Sequence, residues 1–113
     1  MIFRSRSRTR CLCGALCLLL SLAALRAGEE MAREMGGQMI FIKTDLSKDG
    51  DMSHAVKEAA KLGTIKYLVN IASIQHIDSI ENFPMEQYDH MQRIMLRAPF
   101  YLSKLTIPHM KKS

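Results

Sequence analysis

The sequence predicts an α/β protein built on a small parallel sheet, two strands with flanking helices, preceded by an apolar N-terminal leader. Three observations carry this. Tyr67-Leu68-Val69 is an apolar run long enough for a buried strand and too short for a helix. It breaks at once into small and polar residues, Asn70, Ala72 and Ser73, where a backbone can pass close to a ligand. Helical patterns lie on both sides of it, so strand, turn and helices form one unit of a parallel sheet, with the turn at its ligand-binding carboxyl edge.

The leader comes first. Residues 1–28 carry Arg4, Arg6, Arg8, Arg10 and Arg26 and no acid, and Cys11 to Leu25 is uncharged throughout. Small residues follow at Ser21, Ala23, Ala24 and Ala27, the order of a secretory signal peptide with cleavage after Ala23 or Ala27. The apolar run is short beside the roughly 20 residues of a bilayer-spanning helix. A signal anchor whose arginines snorkel is the variant of this reading, and residues 11–25 are then the only membrane contact. A mitochondrial transit peptide and a non-native start from a truncated reading frame stand as alternatives. The first reading places the chain in the secretory pathway or at a membrane, the others in the cytoplasm or mitochondrion.

The formal charge of +5 belongs to this leader, because residues 29–113 balance their acids and bases. No Lys/Arg cluster remains there beyond Lys111-Lys112, so nucleic acid is not an expected partner. Cys11, Cys13 and Cys17 all lie in the leader without a neighbouring His, which suits small apolar residues better than metal ligands.

Residues 28–113 form the predicted domain. Gly28 to Gly37 is the end of a helix, with Met31 and Met35 one turn apart and Gly36-Gly37 as its stop. Residues 38–44 are β-branched and apolar, hence a buried strand. Ser47 is placed as the N-cap of the next helix. Met52, Ala55, Val56, Ala59 and Ala60 make its apolar face, and Gly63 ends it. After the key strand 66–70 and a loop, Pro84 opens a helix running to residue 110. Tyr88, Met91, Met95, Ala98 and Leu102 form its stripe, and Pro99 bends it.

Several of these runs resemble the short-chain dehydrogenase/reductase family. Lys43-Thr44-Asp45-Leu46-Ser47, Leu68-Val69-Asn70-Ile71-Ala72-Ser73, Arg97-Ala98-Pro99-Phe100 and Leu105-Thr106-Ile107-Pro108-His109-Met110 occur in the family's order and spacing. Ile74-Gln75-His76, followed by Phe83-Pro84, is most similar to the 3-hydroxybutyrate dehydrogenase branch. The resemblance covers residues 28–113 and implies a partial Rossmann-type domain with NAD as cofactor. It places Asp45 and Leu46 at the adenine, Asn70, Ala72 and Ser73 beneath the cofactor ribose, and Gln75 at a substrate carboxylate. It also implies that helix 84–110 packs against a partner helix in a homo- or hetero-oligomer.

The departures bear on activity. The glycine-rich nucleotide fingerprint, which lets phosphates approach a helix N-terminus, does not occur in the chain. Neither does the family's catalytic Ser with Tyr-x-x-x-Lys, and Ile94-Met95-Leu96 stands where the tetrad Asn is usual. Tyr101 precedes Lys104 by three residues rather than four. No catalytic residue and no metal ligand is therefore assigned. The expectation is a truncated member of that family, catalytically inert on its own, alternatively a non-catalytic interaction or regulatory protein pairing through helix 84–110 with a full-length relative. Each assigned residue also has a plainer role: Asp45 as a strand-end carboxylate, Asn70 as a partner for backbone groups, Gln75 and His76 as solvated loop.

Overall fold

A computed structural model describes residues 2–5, 13–15, 22–34 and 40–112. Among the described residues, three strands form one sheet in the order β2-β1-β3: β1 is Ile2–Ser5, β2 is Cys13–Ala15 and β3 is Ile65–Val69. Both pairings are antiparallel, with Ile2 opposite Val69, Phe3 opposite Leu68, and an irregularity before Ser5 meets Ile65. Neither ladder is the expected parallel pair of strands. Of its two members only β3 forms, while residues 40–44 contribute a single bridge at Phe41.

The stretch taken as a leader thus contains two strands of the sheet. Helix α1, Leu22–Glu34, runs across the expected boundary between residues 27 and 28. Gly28 is buried within α1, and a Cβ there would lie 2.4–2.9 Å from the Phe41 ring, so this crossing needs glycine. The expected helix stop at Gly36-Gly37, Cys11, Cys17 and most of the 11–25 run lie outside the described residues. No helix among the described residues is long and apolar enough to cross a membrane.

Helix α2, Asp49–Lys61, follows its periodicity closely: Met52, Ala55, Val56 and Ala59 are buried. Its N-cap is Lys48 rather than Ser47, because the Ser47 hydroxyl donates to Asp45 instead. Gly63 ends the helix turn at φ 135°, a conformation that side-chain-bearing residues resist. Strand β3 then lies half in the core. Ile65 is buried while Tyr67 and Val69, on the same face, are 56% and 40% exposed, so the fully buried strand is corrected to one buried only at its start. Leu68, on the opposite face, is partly buried against the same core cluster.

Helix α3, Met85–Gln92, and helix α4, Ala98–Met110, are joined by a π-turn over Arg93–Arg97. Here the Ala98 amide donates to the Arg93 carbonyl, five residues back. Pro99 explains it. A proline ring collides with the carbonyl four residues earlier, and a widened turn moves that carbonyl away. The same widening rephases the helix. Ile94, Ala98, Leu102 and Thr106 are buried in a line four residues apart, whereas the expected Tyr88 and Met95 face outward. The Thr106 hydroxyl is satisfied by the Leu102 carbonyl at 2.8 Å.

The core is one cluster in which Leu46, α2, Ile65 of β3, Ala98 and Leu102 meet. Met52 and Leu102 are among its fully buried side chains. Leu102→Ala should lower unfolding stability by about 2–5 kcal/mol in a urea titration. The exposed Leu96→Ala should change it by no more than about 0.5 kcal/mol.

Candidate functional site

The Asp45–Lys48 turn leads into α2 and is built from its own polar groups. The Ser47 amide and hydroxyl both donate to Asp45 Oδ1, at 2.9 and 2.6 Å, and the Lys48 amide donates to the Asp45 carbonyl at 3.0 Å. This is the local side-chain turn that Asp favours. From the third position of α2 the Asp51 carboxylate accepts the Asp45 amide at 3.1 Å. The Ser47 hydroxyl, foremost, then the Ser47 amide and the Lys48 ammonium at 3.6 Å hold the Asp45 carboxyl below its ordinary 3.8, against an opposing push from burial.

Asp45 Oδ2 thus retains acceptor capacity beside its ammonium neighbour. The Leu46 backbone amide has no hydrogen-bond partner among the described residues. The Leu46 side chain is buried and reaches the end of β3, where Leu46, Asn70, Ile71, Ala72, Ile94, Pro99 and Leu102 enclose a crevice of about 10 Å³. That is room for about one water molecule. A planar ring placed here would lie against the open rim, not inside the crevice.

Of the six residues singled out in the sequence, three converge: Leu46, Asn70 and Ala72. Asp45 sits one residue from this wall. Ser73 and Gln75 are exposed on the loop beyond it and do not line the crevice. Next to Gln75, His76 packs edge-on against Phe83 at 5.1 Å between centroids, with Nε2 3.9 Å from Asp78. Among the described residues, no group of three or more His, Cys, Asp or Glu is placed to hold a metal ion.

Sequence reasoning missed a second layer. Arg97 forks onto Asp49, pairing Nη1 with Oδ1 and Nη2 with Oδ2, the latter at 2.7 Å. Arg93 Nη1 donates to the Ser47 carbonyl at 3.3 Å. The Arg97 guanidinium beside Asp49 holds that carboxyl below its ordinary range, and Asp49 in turn raises Arg97. Only the four-residue spacing of the two arginines was visible in the sequence; their partners lie 46 and 48 residues away.

The short chain dehydrogenase family profile matches residues 13–113. The chain belongs to that family. It is 35% identical over 91 residues to an oxidoreductase of Bacillus subtilis, covering 80% of this chain and 35% of that protein. It is 31% identical over 85 residues to the D-beta-hydroxybutyrate dehydrogenase of Rhizobium meliloti, covering 74% of this chain and 33% of the relative. Among solved structures, the 3-ketoacyl-(acyl-carrier-protein) reductase of Brucella melitensis, complexed with NADH, superposes with a TM-score of 0.74 at 28% identity. That match covers 86% of this chain and 39% of the reductase. The chain spans about a third of the length of the curated relatives it matches.

Because Asp45 is held below 3.8 in the fold, its contribution to stability is complete above that value and lost as pH falls through the folded pKa. Asp45→Asn should therefore make the acid limb of a stability-versus-pH curve shallower below about pH 4. Urea midpoints measured from pH 6 to pH 2.5 check this.

Proposed function

We propose that this chain carries the adenine-side half of a nicotinamide dinucleotide site, in a branch related to NAD-dependent 3-hydroxybutyrate dehydrogenases, and performs no hydride transfer by itself. The convergence of Leu46, Asn70 and Ala72 beside the Asp45 turn supports this reading above all. Asp45 Oδ2 accepts from the exocyclic amine of adenine, the free Leu46 amide donates to a ring nitrogen, and the small Ala72 leaves space for a ribose at the strand end. Asn70 borders the same space. NAD supplies the hydride acceptor when bound. In this sequence no Tyr-x-x-x-Lys pair is present to supply or take the accompanying proton.

Calorimetric titration of the full chain with NAD should give weak saturable binding, and Asp45→Ala should weaken it roughly three- to tenfold, the value of one net hydrogen bond. A flat titration overturns the cofactor reading. Formation of NADH on adding 3-hydroxybutyrate overturns the inert reading.

A second reading is favoured by one feature of the α3–α4 helix. Asp89, Gln92, Arg93, Leu96, Arg97 and Phe100 line an open cleft of about 500 Å³, and Leu96 and Phe100 are 68% and 74% exposed. An apolar floor rimmed by both charge signs suits a partner helix, and a full-length relative is the partner proposed. Co-expression with the full-length hydroxybutyrate dehydrogenase relative should yield a complex, and Leu96→Asp should abolish it. Failure of the wild-type chain to co-purify counts against this reading.

A further inference from the structure

The Asp45–Lys48 turn has internal bonds that fix its shape, but none of them fixes where it stands relative to β3 and the crevice. The start of α2 ties to the turn through Asp51, which accepts the Asp45 amide, while Lys48 caps the helix without a side-chain hydrogen bond. Two ties from further along the chain come from the π-turn between α3 and α4. Arg93 donates to the Ser47 carbonyl, within the turn itself, and Arg97 forks onto Asp49 at the first position of α2. The widened helix turn presents both guanidinium groups to the same short stretch of chain. The Tyr101 ring centroid, 5.7 Å from the Arg97 guanidinium carbon, restrains the plane of that fork.

We infer that Arg97, with Arg93 beside it, is a positioning residue for the Asp45–Leu46 turn, setting its distance from Asn70 and Ala72 across the α2–α4 packing. The inference concerns the placement of the turn; its consequence for ligand binding rests on the adenine reading above. Geometry as well as charge is needed, because two parallel hydrogen bonds orient Asp49 and an ammonium group would form only one contact point.

The test is amide hydrogen exchange by NMR on the full chain, combined with titration by 5′-AMP. Arg97→Ala should accelerate exchange at the Ser47 and Lys48 amides about two- to fivefold, the range of an exposed ion pair. Val56, Ala59 and Leu102 amides should be unchanged, and the dissociation constant for 5′-AMP should rise by a similar factor. Arg97→Lys should behave like Arg97→Ala at the turn, and the exchanged pair Asp49→Arg with Arg97→Asp should restore protection. Unchanged exchange at Ser47 and Lys48 in both single variants overturns the inference. Uniform acceleration that includes the reference amides in Arg97→Lys also overturns it, since the tie would then serve general stability alone. If wild-type chain shows no response to 5′-AMP, the adenine reading fails while the exchange data still decide the role of Arg97.

Discussion

Pro99 constrains this structure more than any other residue. It sits in a helix that must stay packed on α2, yet its ring rejects the carbonyl four residues before it and it has no amide to donate. The chain meets both demands with one π-turn, in which the Ala98 amide reaches the Arg93 carbonyl, and α4 restarts with Pro99 at a position where a missing N–H costs little. The change of phase then decides which residues meet the core. Ile94 turns inward, Met95 and Leu96 turn outward, and Arg93 and Arg97 both come to face the start of α2. Core line, exposed cleft and arginine ties share this single origin.

The fold was legible where a single local rule governs. Helix α2 obeys one period from end to end, so Met52, Ala55, Val56 and Ala59 could be assigned to the core from spacing alone. Gly63 was legible because its φ of 135° is a position that glycine fills readily. The stripe Tyr88, Met91, Met95 was not, because it assumed 3.6 residues per turn across a segment where proline imposes a different count. The antiparallel pairing of β3 was hidden for another reason. Strand pairing is a long-range choice, and nothing in Ile65–Val69 announces that Ile2–Ser5 will lie antiparallel beside it. Alternation also mattered: Ile65, Tyr67 and Val69 share one face of β3, yet only Ile65 is buried, so burial fades along the strand and not across it.

The candidate site divides along the same line. Asp45 with Ser47 is a short-range turn, and residue types alone suggest it, although the hydroxyl serves the carboxylate and not the helix end. Asn70 and Ala72 follow from the position of small residues after a strand. Their meeting with Leu46 depends on α2 folding back across the sheet, which the strand–helix order implies. Ser73 follows from the same small-residue pattern and Gln75 from resemblance alone, and in this chain the loop carries both to solvent. The two arginine ties span 46 and 48 residues, and a contact at that separation leaves no local trace.

How strongly such a site can bind follows from what surrounds it. The crevice of about 10 Å³ shelters no ring, so an adenine would bury one face at most and would retain water on the other. Hydrogen bonds from Asp45 and Leu46 would then compete with water, where each contributes only about 0.5–1.5 kcal/mol net. Affinity on these terms depends on how little the chain must reorganise to present Asp45 and Leu46. Every contact that keeps the turn in place before the ligand arrives therefore carries weight out of proportion to its own strength. Exposed pairs such as Arg97 with Asp49 contribute little to global stability, and their larger effect is on the position of the groups they hold.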